Sequence, residues 1–320
     1  MKLLVTGGAG YIGSVVTALL LEAGHGVTVL DSLSTGHRDA VPPGAALVEG
    51  DVHGAADVLD PSFDAVLHFA AKSLVGESVQ DPGPYWANNV GGTLALLEAM
   101  RSHGVNRLVF SSTAATYGDP LSEAPLRESD PAVPANPYGA SKLAVDHLLS
   151  GWAQAHGLGA VSLRYFNVAG AHLGFGERHD PETHLVPNLL RVAAGRAPHA
   201  SVLGTDYPTG DGTAVRDYLH VADLAEAHLR ALERAEPGSH RVYNLGSGGG
   251  YSVREVLAAV RRVTGHPVPA VDGPRRAGDP AVLVAANALA RRELGWKPVR
   301  TLDQTVADAW AFARGREADA

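Results

Sequence analysis

The chain has 320 residues, 45% of them apolar and 19% charged, with no cysteine and a formal net charge of −8. That composition supports a sizeable core and excludes disordered chains, coiled coils, disulfides, thiolate metal sites and cysteine nucleophiles, while the acidic balance disfavours a nucleic-acid partner. No apolar run reaches the ~18 residues of a membrane span, and the N-terminus enters glycines at once with no signal-peptide cleavage region, so a soluble cytoplasmic protein with no membrane partner is expected.

Short apolar runs alternate with helical patterns through the first half. Residues 2–6, 27–30, 46–49, 65–69, 107–111 and 160–164 read as strands. Several are continuous Val/Leu runs of the kind buried on both faces of a parallel sheet. Residues 12–23 place apolar side chains at 12, 15, 16, 19 and 20 and stop at Gly24, the pattern of an amphipathic helix. The alternation predicts an α/β fold built on a Rossmann-type doubly wound parallel sheet. Further on, residues 167–181 read as a long Gly- and His-rich loop and 185–194 as a helix. A strand is expected at 201–204, a polar turn at 205–213 and helices at 219–233 and 253–263. Ser252 and Glu255 form a capping-box pattern at the start of the last of these. From about 315 the chain reads as a polar tail. The expected organisation is a dinucleotide-binding domain over 1–170 and a smaller α/β lobe over 171–320, some of whose segments pack back on the first.

Thr6-Gly7-Gly8-Ala9-Gly10-Tyr11-Ile12-Gly13 lies between the first strand and the first helix. Glycines at 7, 10 and 13 allow a tight turn and close backbone approach to a pyrophosphate, which would rest on the positive end of the helix. Asp31 ends the second strand, 18 residues past Gly13. A carboxylate there accepts from ribose hydroxyls and repels a 2′-phosphate, which favours NAD over NADP. Asp51, after Gly50, reads equally as an adenine contact or a turn residue. A second cluster, Gly246-Ser247-Gly248-Gly249-Gly250, is placed to cradle an anion, but no suitably spaced acidic residue ends a following strand. It reads as a loop at a helix entrance.

Asn136-Pro137-Tyr138-Gly139-Ala140-Ser141-Lys142 opens another helix, with Asn136 as N-cap and Pro137 at the first position. Tyr138 and Lys142, four apart, share a face. An adjacent ammonium is expected to lower the phenol and make it a usable base. Ser111-Ser112-Thr113 ends an apolar strand at the carboxyl edge of the sheet, where α/β sites assemble. Its hydroxyls suit either a reacting oxygen or the capping of the strand end.

The glycine loop, the Ser/Thr strand end and the Tyr-x-x-x-Lys together resemble the extended short-chain dehydrogenase/reductase family. His68-Phe69-Ala70-Ala71, Asn88-Asn89-Val90, Arg164 to Ala171, Gly212 to Tyr218 and Arg275-Arg276-Ala277-Gly278-Asp279 extend the likeness to its nucleotide-sugar epimerases, in order along nearly the whole chain. The resemblance implies reversible epimerisation at sugar carbon 4 of UDP-glucose and UDP-galactose with bound NAD, and a homodimer through helices near 88–103 and 138–156. By the same resemblance Tyr138 is the base and acid, Lys142 tunes it and holds the nicotinamide ribose, and Thr113 bonds the sugar oxygen. Gly7, Gly10, Tyr11, Ile12, Gly13, Asp31, Asp51, Val52, Phe69, Ala70, Ala71, Asn88 and Phe166 join Tyr138 and Lys142 in the NAD site. Asn167, His184, Leu185, Leu203, Arg216, Arg276 and Asp279 line the UDP-sugar site. Two arginines suit a diphosphate, and Asp279 suits a uridine ribose. Two positions depart from the family pattern. Lys72 sits one place early for the lysine that often follows the His-Phe-Ala strand end, and is left unassigned. His184 replaces a common asparagine.

Leu283 falls at the family's gate position, where a bulky tyrosine crowds an N-acetyl group. Leucine predicts that UDP-N-acetylglucosamine and UDP-N-acetylgalactosamine are also accepted. A 4,6-dehydratase shares the first oxidation but needs an acidic pair where Ala114 and Ala115 stand. An NADP-linked reductase is disfavoured by Asp31, and a non-catalytic NAD-binding regulator by the intact Tyr138 and Lys142. His172, Glu177, His179, Asp180, Glu182 and His184 have no helix or hairpin spacing to bring them together, so no metal site is expected.

Overall fold

The structure, a computed structural model, describes residues 1–120, 122–276 and 279–318. Ala277 and Gly278 of the Arg275–Asp279 motif, and the last two residues of the expected tail, lie outside the described residues. In the first half, β1 (Lys2–Thr6), α1 (Tyr11–Glu22), β2 (Gly26–Asp31), β3 (Ala46–Glu49) and β4 (Ala65–His68) follow in order. Then come α2 (Val75–Gln80), α3 (Gly83–Tyr85), α4 (Thr93–Ser102), β5 (Arg107–Thr113), α5 (Pro137–His156) and β6 (Gly159–Tyr165). The second half runs β7 (Asn167–Ala169), β8 (Ala171–His172), β9 (Phe175–Gly176), α6 (Leu185–Ala193), β10 (Ala200–Leu203), β11 (Val215–Arg216) and β12 (Tyr218–His220). It continues with α7 (Val221–Glu233), β13 (His240–Leu245), β14 (Tyr251–Ser252), α8 (Val253–Thr264), β15 (Ala270–Gly273), β16 (Val282–Leu283), α9 (Ala288–Glu293) and α10 (Leu302–Ala318).

Seven strands form one parallel sheet in the order β13-β6-β5-β4-β1-β2-β3. The order reverses between β1 and β4, which opens a crevice at their carboxyl ends. Period-two alternation explains the two layers. Leu3, Val5, Ala65, Leu67 and Val109 face α1 and α7. Leu4, Val66, Leu108 and Phe110 face α4 and α5. A third core joins α6, α8 and α10 beside the sheet.

The region expected as a loop contains β7, which pairs with β12, and the β8–β9 hairpin. These strands have two or three residues each, too few for a local pattern, and β7 is fixed by a partner some fifty positions away. The helix expected from 219 begins at Val221, because residues 218–220 form β12 and the His220 ring accepts from the Ala222 amide at 3.0 Å. The expected polar tail is the end of α10, where Arg316 pairs with Asp39 at 3.3 Å. β13 and α7 return from the second half to complete the sheet and the layer over α1.

Candidate functional site

The glycine loop is shaped by close backbone approach. Gly7 adopts φ +75°, and a Cβ there would lie 2.5 Å from the Ala70 amide nitrogen. A Cβ on Gly13 would lie 2.9 Å from the Gly8 Cα and closer still to the Gly7 carbonyl oxygen. The loop therefore packs against Phe69-Ala70 at the end of β4 while α1 starts over it. Gly10 is the N-cap, no side chain caps the helix, and its first turn holds no acidic residue. That leaves the positive end of α1 for an outside anion. Asp31 is buried at the end of β2, where its carboxylate accepts from the Ala9 and Leu33 amides at 2.9 and 2.8 Å. Each oxygen keeps one lone pair for a ribose hydroxyl. Arg38, the first arginine after Asp31, is held by Glu49. These residues fit a dinucleotide without a 2′-phosphate.

The remaining cofactor-side residues take varied positions. The Tyr11 hydroxyl donates to the Gly170 carbonyl at 2.6 Å, joining α1 to the segment after β7. Ile12 is half-buried against the first core. Asp51 accepts from the His53 amide at 2.9 Å and caps a short turn. The Val52 side chain is buried in the second core. Asn88 donates to Asn89 at 3.0 Å. Phe166 is buried with Ala114, Tyr117, Leu126 and Ala285.

At the carboxyl end of β5, Asn136 caps α5 by accepting from the Gly139 amide at 2.9 Å, with Pro137 next. The Tyr138 phenol then stands beside the Thr113 hydroxyl, which acts on its acidity. Thr113 also accepts from the Ala115 amide at 3.1 Å, which is the expected capping of the strand end. The other two hydroxyls turn away, Ser111 to Tyr165 and Ser112 toward Asp146. Lys142 is buried, donates to the Ser111 carbonyl at 2.8 Å and stands 4.8 Å over the Phe110 ring. Burial pulls its ammonium down to about 7, against the carboxylate of Asp146 one turn on.

The tyrosine corrects an expectation. Burial raises the Tyr138 phenol, with only the Thr113 hydrogen bond opposing it. The ammonium of Lys142, which donates to the Ser111 carbonyl, is not among the influences on it.

On the substrate side, β11 lies between β14 and β16, which sets Arg216 directly beside Leu283. Arg216 donates to the carbonyls of Val215 and Pro280 at 2.9 and 2.8 Å and faces Asp279 at 3.7 Å. The groups expected at the diphosphate and at the uridine ribose are thus neighbours. Arg276 is exposed, while Arg275 pairs with Asp206 at 2.7 Å and stacks 4.2 Å over Tyr207. Asn167 begins β7, Leu203 ends β10, and Leu185 opens α6 just after His184. Leu283 packs on the cluster that holds Phe166.

Two residues escaped the sequence reading. Buried Asn89 accepts from the Lys72 amide at 2.8 Å and donates to the Lys72 carbonyl and the Ser141 hydroxyl at 3.0 Å each. It sits in a π-helical turn, Trp86–Gly92, and ties the end of β4 to the residue just before Lys142. The paired asparagines inside a helical pattern were the available signal. Asp217 fills the second glycine cluster. Its carboxylate accepts from the Ser247, Gly248 and Ala285 amides at 2.6, 3.2 and 3.1 Å. A Cβ on Gly246 would collide with that carboxylate.

The loop before α6 also departs from expectation. Glu177, His179, Glu182 and His184 converge, each with one ligand atom within 4.8 Å of the others. Sequence spacing missed this because a hairpin and an irregular turn bring them together. Burial lowers His184, but hydrogen bonds and charge from Glu177 and Glu182 overcome it and raise the imidazole to about 10.

The model of the NAD dependent epimerase/dehydratase family matches residues 3–246. The chain belongs to this family. Its members similar to the chain include the UDP-glucose 4-epimerase of Corynebacterium glutamicum, 57% identical over 98% of this chain and 95% of the relative. That of Streptomyces lividans is 60% identical over 97% and 95%. The UDP-glucose 4-epimerase of Stenotrophomonas maltophila, solved with bound NAD and formylated UDP-arabinopyranose, superposes with a TM-score of 0.95 at 41% identity, covering all of both chains. Among the described residues, no helix is long and apolar enough to cross a membrane.

Proposed function

We infer that the chain interconverts UDP-glucose and UDP-galactose by epimerisation at sugar carbon 4. The observation that carries this is the placing of the Tyr138 phenol beside Thr113 at the mouth of the sheet crevice, one helical turn from buried Lys142. The glycine loop, Asp31 and the ends of β4 and β5 would hold NAD, which would supply the hydride acceptor for carbon 4 and a positive charge. Tyr138 acts as the phenolate, a form the positive charge of bound NAD would favour against burial: it takes the proton of the sugar 4-hydroxyl in the forward half and returns it in the second half. Thr113 holds that same oxygen and keeps the phenol aimed. Both hydroxyl faces must meet one tyrosine, so the sugar must turn while its nucleotide stays fixed. Arg216, Arg276 and Asp279 suit the fixed end, and Phe166 and Leu283 give the sugar end an apolar wall with few anchors. Elimination at carbons 5 and 6 has no acid at Ala114 or Ala115.

Tyr138→Phe tests the assignment. Turnover is expected to fall roughly 10²–10⁴-fold while bound NAD persists. Activity within tenfold of the parent overturns the role of Tyr138.

We also propose acceptance of N-acetylated UDP-hexoses. The support is the aliphatic Leu283 beside Arg216, together with a Campylobacter jejuni UDP-Glc/GlcNAc 4-epimerase, 38% identical over 98% of this chain with a TM-score of 0.86. A homodimer is proposed through α4 and α5. Trp86 and Leu94 are about 40% exposed, and a shallow cavity of about 410 Å³ on α5 is lined by Ala144, Leu148 and Trp152. Sedimentation of the Leu94→Glu/Leu148→Glu variant as a monomer, against a parental dimer, is the expected result. A monomeric parent refutes it.

A further inference from the structure

We propose that Glu177, His179, Glu182 and His184 form a binding site for one divalent transition-metal ion of the zinc class. The pattern Glu-x-His-x-x-Glu-x-His offers two imidazoles and two carboxylates, a donor set that suits Zn²⁺ in tetrahedral geometry. Three of the contacts already converge. The His184 Nδ1 lies 2.6 Å from Glu177 Oε1 and 2.9 Å from Glu182 Oε1, and the His179 Nδ1 lies 2.9 Å from Glu177 Oε1. The two imidazole centroids are 5.1 Å apart. Ligand atoms around a tetrahedral zinc stand about 3.3–3.5 Å from one another. The present group spans no more than 4.8 Å, so small side-chain rotations complete the shell.

The two carboxylates are withdrawn from solvent and face only imidazoles among their ion-pair partners. Glu177 and Glu182 are 7% and 8% exposed, and no lysine or arginine pairs with either among the described residues. A cavity of about 580 Å³ opens on the group; Glu177, His179 and Glu182 line it together with Arg178, Arg191 and Arg316, so an ion would reach the carboxylates past these guanidinium groups. On binding, the metal takes the place of the protons now shared between the Nδ1 atoms and the carboxylates, and those protons leave to solvent. The ion would clasp residues 177–184 between Tyr11, whose ring meets His179 edge-on at 6.5 Å, and the start of α6. It takes no part in the chemistry at Tyr138.

The test is metal content of the NAD-loaded full chain after equilibration with Zn²⁺ and desalting, read by mass spectrometry of the elements. The parent and a His172→Ala control are expected to retain about one zinc per chain, and His179→Ala/Glu182→Gln to lose it, with affinity down at least roughly 100-fold. X-ray absorption of the zinc-loaded parent should show two imidazole ligands, a readout that stands even where the double variant fails to fold. A parent that holds no stoichiometric zinc, a folded double variant that keeps it, or a spectrum without two imidazoles overturns the site and leaves the four side chains an ion-paired clasp.

Discussion

Asp146→Ala removes half of a buried ion pair that lies one helical turn beyond Lys142. The Asp146 Oδ2 accepts from Arg164 at 3.1 Å through Nε and 2.8 Å through the terminal nitrogen, and the two side chains are 5% and 7% exposed. Arg164 also lies 5.0 Å over the Tyr117 ring, so it cannot swing to water without repacking. Leaving that guanidinium buried and unpaired costs about 3–5 kcal/mol. The pair itself is not a strong net stabiliser. Asp146 Oδ1 is buried without a hydrogen-bond partner, and both charges bear their desolvation. Asp146→Leu/Arg164→Met is therefore expected within about 1 kcal/mol of the parent. Urea unfolding of the parent, Asp146→Leu, Arg164→Met and their double variant, with NAD saturating, gives the coupling directly, and Asp146→Ala is measured beside them. An Asp146→Ala loss below about 1 kcal/mol, or a double variant as unstable as the sum of the singles, refutes the reasoning.

Gly13→Ala drives a methyl into the glycine loop. A loss of about 1–3 kcal/mol and purification with little bound NAD are expected, and full NAD content at unchanged stability contradicts the close-approach argument. Burial lowers His68 to about 3 and His228 to about 4, so both stay neutral in the fold but protonate in the unfolded chain near 6.5. The unfolded state binds more protons in that window, so stability falls with acidification below pH 6.5, by about 1.4 kcal/mol per pH unit for each histidine once its unfolded form is protonated. Unfolding midpoints that stay flat from pH 6.5 to 5 refute this. Leu283→Tyr is expected to depress turnover of UDP-N-acetylgalactosamine more than that of UDP-galactose. Equal effects remove Leu283 as the gate.

Most of the sheet was legible because its strands are continuous apolar runs separated by glycine-stopped helices, a local pattern that needs no partner. β13 was legible only as an apolar strand ahead of the second glycine cluster; its place beside β6 was not, because it depends on where α7 delivers it. The same divide holds within the site. Tyr138 and Lys142 are set by one helix and one cap, so their spacing could be read. Asn89 and Asp217 act through groups 17 to 68 positions away, and no window along the chain contains their partners. The state of the phenol was misjudged for a related reason. Spacing puts Lys142 on its face, but burial decides its acidity, and burial belongs to the folded surroundings.

The two glycine clusters show how a sequence can separate an anion site from its imitation. Both follow a strand and precede a helix, and in both a glycine is needed because an oxygen passes too close for a Cβ. What differs is the source of the negative charge. α8 opens with Ser252 accepting from the Glu255 amide at 3.0 Å and Glu255 accepting from the Ser252 amide at 2.7 Å, a closed capping box. The loop before it is already filled by Asp217. Its donors are satisfied from within, and its helix end is neutralised. α1 opens with Gly10 and brings neither a capping side chain nor an acid. Asp31 accepts from the Ala9 amide within the loop and does not cap the helix end. A diphosphate therefore gains the unspent amides only at the first loop. That distinction was present in the letters all along, in the contrast between Gly10 and the Ser252–Glu255 pair rather than in the number of glycines.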